Sequence, residues 1–136
     1  MPYDAAVRVR YAETDQMGVV YHSNYLIYFE IGRTEAMRQI GIAYADLEKR
    51  GYLLAVIESG CRHYGSARYD DLLTVRTRLT EAGKTRLRFE YEVLLDGRRL
   101  ATGHTVLACL NRAEGMRPTR LPEDVDQAAQ RAVESA

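Results

Sequence analysis

The second half of the chain alternates apolar and polar residues with the period-two pattern that is typical of β-strands. In residues 85–95, for example, Leu87, Phe89 and Tyr91 alternate with charged neighbours. Asp96-Gly97 separates two such segments and is a strong signal for a tight hairpin turn. The pattern predicts a sheet of four long antiparallel strands, with one apolar and one solvated face, at 52–67 (bulged at Gly60), 72–81, 85–95 and 98–111.

The first half contains one long segment with helical periodicity. Ser23 or Asn24 is expected to cap its start, and Gly41 is expected to end it. Gly32 and Ala36 on its apolar face have small side chains and leave that face nearly flat, so a sheet can approach the helix backbone closely. From residue 24 to residue 40, apolar or small residues recur every three or four positions, at Tyr25, Phe29, Gly32, Ala36 and Ile40.

Shorter elements complete the predicted order. Residues 6–11 alternate as a first strand, a loop follows over 12–23, and a short helix is expected at 44–50. The last twenty or so residues are interpreted as a tail with a short polar helix. One long helix facing an antiparallel sheet is an α+β arrangement. With 136 residues and no repeat or linker, the chain is expected to form a single domain over 1–136.

Composition and charge narrow the function classes. Nineteen basic and nineteen acidic residues cancel, so the charge gives no indication of nucleic-acid or membrane-surface binding. The N-terminal segment has no apolar signal region, and no apolar run is long enough for a membrane span. Cys61 and Cys109 lie in apolar, strand-like segments without metal-ligand spacing. Two buried free thiols in a reducing compartment, and therefore a cytoplasmic protein, are expected.

The loop before the long helix holds the residues best suited to chemistry. Asp15 lies seven residues before His22, and Gly18 between them permits a tight turn. The first N–H groups of a helix lack intrahelical partners, so the backbone from Tyr21 to Asn24 is expected to offer donors to a developing negative charge. An ionised carboxylate facing such donors is suited to acyl transfer. Taken singly, each of these residues is more often a turn former, a cap or a surface side chain.

Other kinds of site receive little support. His22, His63 and His104 lie far apart and no His-Glu-x-x-His motif occurs, so no metal site is expected. The chain contains no Gly-x-Gly pair and no Gly-x-Ser-x-Gly elbow. The common nucleotide loops and a conventional serine nucleophile are therefore not indicated.

Residues 10–25, "RYAETDQMGVVYHSNY", resemble the signature of hotdog-fold acyl-CoA thioesterases. The resemblance is greatest to the 4-hydroxybenzoyl-CoA thioesterase-like enzymes, including the branch associated with the Tol-Pal system. It continues through residues 29–35, "FEIGRTE", and returns at 67–71, "ARYDD". Arg117-Pro118 and Leu121-Pro122 add weaker matches near the C-terminus.

This resemblance implies a fold and a set of roles. The fold would be a hotdog, in which a curved antiparallel sheet wraps around one central helix. Asp15 would be the catalytic carboxylate, and His22 would orient water or the thioester or protonate the departing thiolate. A backbone N–H near His22 would hold the thioester oxygen. No cofactor is implied, because CoA is part of the substrate. Family members form dimers edge to edge, often paired into tetramers, with active sites at subunit interfaces and CoA along the surface.

Substrate-binding residues are predicted with less detail. Tyr21 and Asn24 flank the implied oxyanion donor, and Tyr64 and Ser66 are candidates for the acyl pocket. The candidates for holding the CoA phosphates are basic side chains, first Lys84 and Arg86, then Arg62 and Arg117.

Two other functions stay open on the sequence. A non-catalytic acyl-CoA-binding module of the same fold is the main alternative, although Asp15 argues against it. A hydratase or dehydratase is the second, but those enzymes use a different spacing of acid and histidine. Neither the acyl group nor the order of oligomer is indicated by the sequence.

Overall fold

A six-stranded antiparallel sheet and one long helix make up most of the structure, a computed structural model that describes residues 2–134. The strand order is β1-β3-β4-β5-β2, with the short β6 beside β5. The predicted α+β class is therefore confirmed. In chain order the elements are β1 (Tyr3–Arg8), α1 (Asn24–Ile40), α2 (Tyr44–Lys49), β2 (Tyr52–His63), β3 (Leu72–Ala82), β4 (Arg86–Leu95), β5 (Arg98–Asn111), β6 (Arg117–Pro118) and α3 (Glu123–Glu134).

Helix α1 lies directly on the apolar face of the sheet. Its Phe29 is fully buried and stacks on Tyr91 of β4 with ring centroids 4.6 Å apart. A Cβ atom at Gly32 would lie only 2.6 Å from both Thr77 Oγ1 and Val75 Cγ1 of β3, so the predicted close approach of helix and sheet is confirmed. The helix ends where predicted, at Gly41 in the left-handed conformation.

The strands alternate as the sequence predicts. Val75, Thr77 and Leu79 of β3 are buried, whereas Arg78 between them is exposed. Asp96 and Gly97 both have positive φ, at 50° and 78°, as a two-residue hairpin turn of type I′ requires. The sheet therefore has one face against α1 and one face in solvent.

Two strand boundaries differ from the prediction. β1 begins at Tyr3 rather than residue 6 because its pairing with β3 runs from Tyr3 opposite Thr77 to Arg8 opposite Leu72. β2 ends at His63, and its irregularity lies between Val56 and Glu58 rather than at Gly60. The glycine at position 60 instead makes room for a neighbour, because a Cβ there would lie 2.5 Å from the His104 ring.

The predicted C-terminal helix is present as α3, but the segment packs on the core and is not a tail, so that part of the prediction is wrong. α3 buries Val125, Ala128 and Ala129 in the hydrophobic core. Its exposed side is fixed by a two-pronged ion pair between Arg50 and Asp124, with N–O distances of 2.9 and 3.0 Å. The apolar residues at spacings of three and four could have indicated this packing.

Candidate active site at the start of the long helix

The loop before α1 folds back on itself as a small hairpin. The Asp15 N–H donates to the Val19 carbonyl at 2.9 Å, and the Tyr21 N–H donates to the Glu13 carbonyl at 2.9 Å. Gly18, with φ of +79°, forms the turn, as its position between Asp15 and His22 predicts. The hairpin returns the chain to the point where the helix begins. Asp15 pairs with Val19, and the three residues from Val19 to His22 span at most about 11 Å, so the Asp15 backbone lies within about 16 Å of His22.

The Asp15 carboxylate is held by one of its two oxygens. Oδ1 accepts from the Met17 N–H at 2.8 Å and more weakly from the Val19 N–H at 3.4 Å. Among the described residues, Oδ2 has no hydrogen-bond partner. The carboxylate is half-buried. It is thus fixed in direction by its own turn and keeps one oxygen for another group.

The backbone donors at the helix start are fewer than the sequence predicts. The Tyr21 N–H is used by the hairpin, and the Asn24 N–H donates to the Tyr21 carbonyl at 2.9 Å. Within residues 2–134, only the N–H groups of His22 and Ser23 in this stretch have no backbone acceptor. These two N–H groups, at the positive end of the helix dipole, can donate hydrogen bonds to a negatively charged oxygen.

The side chains around these amides have separate roles. Ser23 occupies the N-cap position, as one of the two predicted residues, but its side chain forms no capping hydrogen bond. The Asn24 side chain is a donor rather than a cap, and its Nδ2 contacts the Glu13 carbonyl at 3.0 Å. The rings of Tyr21 and His22 are exposed, and their centroids lie 4.4 Å apart. His22 is therefore open to a ligand, and Asn24 ties the helix to the hairpin.

Glu13, which was not among the residues predicted from the sequence, stabilises the hairpin through hydrogen bonds of its side chain. Its Oε1 accepts from the Tyr28 hydroxyl and from the Arg10 N–H, both at 2.9 Å, and its Oε2 accepts from Arg10 Nε at 3.2 Å. Burial alone would raise the pKa of Glu13, but these donors outweigh it and lower the pKa. Burial and the Glu13 carboxylate also raise the pKa of Tyr28, which keeps its proton. In the sequence, the feature that could have indicated this contact is Tyr28, whose hydroxyl needs a partner when the ring is buried under the helix.

Replacing Glu13 by glutamine is expected to lower the free energy of unfolding at pH 7 by about 2 kcal/mol, because a charged acceptor with three donors is lost. The folded-state pKa lies below the ordinary value of 4.5, so the carboxylate stabilises the fold above that pH. This contribution disappears as the pH falls through the folded-state pKa. Denaturant unfolding should show that the free energy of unfolding falls less between pH 7 and pH 3 in the variant than in the wild type. The exposed variant Glu114→Gln is the control and should lose as much stability on acidification as the wild type. An equal loss of stability in Glu13→Gln and in the wild type contradicts this role of Glu13.

Two predicted binding residues meet on the outer face of the sheet. Arg62 and Tyr64 stand at the end of β2, and the guanidinium of Arg99 lies 4.8 Å from the Tyr64 ring centre. The neighbouring Thr102, with the charges of Arg99 and Arg62, lowers the pKa of Tyr64. Arg62, Arg99 and Thr102, but not Tyr64, line a cavity of about 540 Å³ that contains further arginines. In the described part of the chain, Arg62 and Arg99 form no ion pair, whereas Arg76, Arg78 and Arg88 pair with carboxylates.

The other predicted phosphate-binding residues lie elsewhere. Arg86 is opposite Ala108 of β5, whereas Arg62 is opposite Thr102 of the same strand. Six residues of strand correspond to about 20 Å, so Arg86 and Arg62 of one chain do not form a single cluster. Lys84, Ser66 and Arg117 are all exposed, with Lys84 in the turn before β4, Ser66 in the loop after β2, and Arg117 in β6.

Residues 2–134 contain neither a metal-binding cluster nor a membrane-spanning helix. No group of three or more His, Cys, Asp or Glu side chains is arranged to hold a metal ion. No helix in that part of the chain is long and apolar enough to cross a membrane.

The chain is an α+β protein whose sheet packs against one long helix, and the half-buried carboxylate of Asp15 lies in the loop that precedes this helix. The model for the thioesterase-like superfamily matches residues 9–129. The chain therefore belongs to the thioesterase-like superfamily, and the resemblance found in the sequence is confirmed at the level of family. The narrower assignment to the Tol-Pal-associated branch stays a prediction.

Individual relatives agree with this assignment. The acyl-CoA thioesterase YbgC of Haemophilus influenzae is 33% identical over 123 residues, which cover 90% of each chain. The hypothetical protein TT1821 of Thermus thermophilus is 39% identical, with a TM-score of 0.91 over 96% of this chain and 98% of that one. The DHNA-CoA thioesterase of Staphylococcus aureus is 31% identical, with a TM-score of 0.92 over 98% of this chain and 91% of that one. The hotdog fold expected from the resemblance is thus confirmed.

Proposed function

We propose that this protein hydrolyses an acyl-CoA thioester to a free acid and CoA. One observation carries the proposal: the hairpin that fixes the Asp15 carboxylate ends where the unpaired N–H groups of His22 and Ser23 begin. Membership of the thioesterase-like superfamily and the names of the full-length relatives support the same reaction.

In the proposed reaction, the thioester carbonyl oxygen accepts hydrogen bonds from the amides of His22 and Ser23. These donors stabilise the negative charge that develops on that oxygen, and one such donor is typically worth about 2.7–4 kcal/mol in the transition state. The free oxygen of Asp15 then either attacks the carbonyl carbon or removes a proton from an attacking water. The C–S bond breaks, and CoA leaves as a thiolate that takes up a proton. The exposed imidazole of His22 is our proposed donor of that proton.

The two roles of Asp15 differ in the fate of a solvent oxygen atom. If Asp15 is the nucleophile, a mixed anhydride forms between the acyl group and Asp15. Attack of water on the side-chain carbonyl carbon of Asp15 then leaves an oxygen from water in the aspartate. A single turnover in water enriched with oxygen-18, followed by mass spectrometry of the peptide that contains Asp15, measures this incorporation. Label in Asp15 establishes the anhydride, whereas label found only in the released acid shows that water attacks the acyl carbon, either of the thioester or of the anhydride.

The activity itself is tested by release of the CoA thiol. Purified protein is incubated with short, long and aromatic acyl-CoA thioesters, and the free thiol is measured with a chromogenic disulfide. Hydrolysis of at least one thioester is expected. Tight binding of the thioesters without release of thiol would overturn the proposal in favour of the non-catalytic acyl-CoA-binding module.

We also propose that the working form is a dimer or a tetramer of dimers. β2 is an edge strand of the sheet, and its Val56 and Ile57 are each 49% exposed. Leu26 and Ile27 of α1 are exposed to a similar extent, which leaves an apolar surface along one side of the chain. Light scattering coupled to size exclusion should give at least twice the 15.5 kDa of the chain. The free thiols of Cys61 and Cys109 are compatible with the proposed cytoplasmic location.

A further inference from the structure

The side chain of Asn24 joins the hairpin to the first turn of α1. Its Nδ2 donates to the Glu13 carbonyl at 3.0 Å and to the Tyr21 carbonyl at 3.3 Å. A carboxamide nitrogen carries two hydrogens, so this one nitrogen can serve both acceptors. The same two carbonyls also accept the backbone N–H groups of Tyr21 and Asn24, each at 2.9 Å. The three residues therefore form one closed set of hydrogen bonds.

This set of hydrogen bonds lies between the two halves of the proposed active site. On one side, Glu13 precedes Asp15 by two residues in the first arm of the hairpin. On the other side, the unpaired N–H groups of His22 and Ser23 directly precede Asn24 in the chain. The carboxamide is thus bonded to the arm that carries the carboxylate and belongs to the segment that carries the oxyanion donors.

The backbone hydrogen bonds of the first turn of α1 are comparatively long. The N–H groups of Tyr25 and Leu26 donate to carbonyl oxygens three residues earlier at 3.2 and 3.3 Å, whereas N–H···O bonds in proteins are usually about 2.9–3.0 Å. Ser23 at the N-cap position adds no side-chain hydrogen bond. The turn that presents the two unpaired amides therefore depends on the Asn24 side chain for an additional constraint.

We infer that Asn24 is a positioning residue of the proposed thioesterase reaction, an inference that rests on the proposed function. Its carboxamide sets the position of the two unpaired amides relative to the Asp15 carboxylate. Both hydrogens of Nδ2 are used by protein carbonyls, so the side chain keeps no donor for the thioester itself. A misplacement of about 1 Å in an active site can cost about 10²-fold in rate. Because the oxyanion develops only in the transition state, such a misplacement lowers kcat more than it weakens binding.

Replacing Asn24 by alanine tests this inference in the whole chain. Asn24→Ala is expected to lower kcat by about 10- to 100-fold, while Kd for a non-hydrolysable thioether analogue changes by less than about threefold. kcat is measured by thiol release from the acyl-CoA thioester that the wild type hydrolyses fastest, and Kd is measured by calorimetry with the analogue of the same ester. Gln39→Ala removes an exposed carboxamide from the same helix, so it is the matched control and should keep the wild-type kcat.

Asn24→Asp adds a readout that depends on pH. An ionised carboxylate at this position has no hydrogen to donate and faces two carbonyl oxygens, so kcat is expected to be low at pH 8. A protonated carboxyl group has one O–H donor, which can serve the Glu13 carbonyl. The ratio of kcat in Asn24→Asp to kcat in the wild type should therefore rise by at least about threefold from pH 8 to pH 5, as the protonated fraction grows. The same ratio for Asn24→Ala should stay constant.

The outcomes separate a positioning role from two others. An unchanged kcat in folded Asn24→Ala overturns the inference even if the variant is less stable, because a contact that only stabilises the fold leaves turnover intact. A raised Kd with an unchanged kcat overturns it in favour of direct contact with the substrate. A ratio for Asn24→Asp that does not rise at acid pH also overturns it. Release of thiol by the wild type from none of the acyl-CoA thioesters overturns the proposed function and the inference with it.

Discussion

Asp15→Asn is expected to lower kcat by about three orders of magnitude while substrate binding changes little. The asparagine oxygen can still accept from the Met17 N–H, which now holds Oδ1 at 2.8 Å, so the hairpin should keep its shape. What is lost is the negative charge on the free oxygen. Without it the side chain can neither attack the carbonyl nor take a proton from water, and such roles contribute roughly 10²–10⁴-fold.

The measurement for this variant combines thiol release with binding of the uncleaved thioester by calorimetry. Asp46→Asn on the exposed surface of α2 is the matched control, and it should retain wild-type kcat. Circular dichroism and unfolding curves verify that Asp15→Asn is folded. A folded Asp15→Asn protein with near-normal kcat removes Asp15 from the mechanism.

Gly103→Ala is expected to destabilise the fold by about 3 kcal/mol, the upper part of the range for overpacking. Gly103 lies in β5 beneath the long helix, and a Cβ there would lie 2.3 and 2.4 Å from two atoms of the Phe29 ring. The same Cβ would lie 2.7 Å from the Gly60 carbonyl oxygen, which is backbone of the neighbouring strand. The ring cannot simply turn aside, because it is stacked on Tyr91.

Urea unfolding at pH 7 measures this loss, and a second substitution identifies its cause. Phe29→Leu in the Gly103→Ala background should recover part of the lost stability, since the smaller side chain leaves room for the new methyl group. Gly83→Ala is the control, because a Cβ there has only an ordinary contact of 3.6 Å with the Arg86 carbonyl oxygen. A Gly103→Ala protein as stable as the wild type shows that the helix and the sheet do not pack this closely.

The fold could be predicted where local periodicity decides it. α1 spans residues 24–40 as expected, because apolar spacing and Gly41 both act within the segment itself. The start of β1 is set by pairing with β3, which lies almost seventy residues away, and its alternation alone gave a shifted boundary. The packing of α3 could have been predicted, because Val125, Ala128 and Ala129 recur at helical spacing within the segment itself.

The turn in front of the long helix could be predicted from the sequence, but the contacts made by its residues could not. The spacing of Asp15, Gly18 and His22 predicted a turn before the helix, and the structure has that turn. The N–H groups of Tyr21 and Asn24 are occupied by the carbonyl groups of Glu13 and Tyr21, and these contacts form only when the hairpin folds. Glu13 was hidden for the same reason, because its partner Tyr28 lies fifteen residues away and meets it only when the loop folds under the helix.

A crystal structure of the Asp15→Asn variant with an uncleaved acyl-CoA thioester tests the central claim most directly. The thioester oxygen is predicted to lie about 2.7–3.1 Å from the backbone nitrogen of His22 or Ser23, with the substituted side chain facing the carbonyl carbon. A thioester bound away from the start of α1, or a side chain at position 15 that points away from it, would contradict the account.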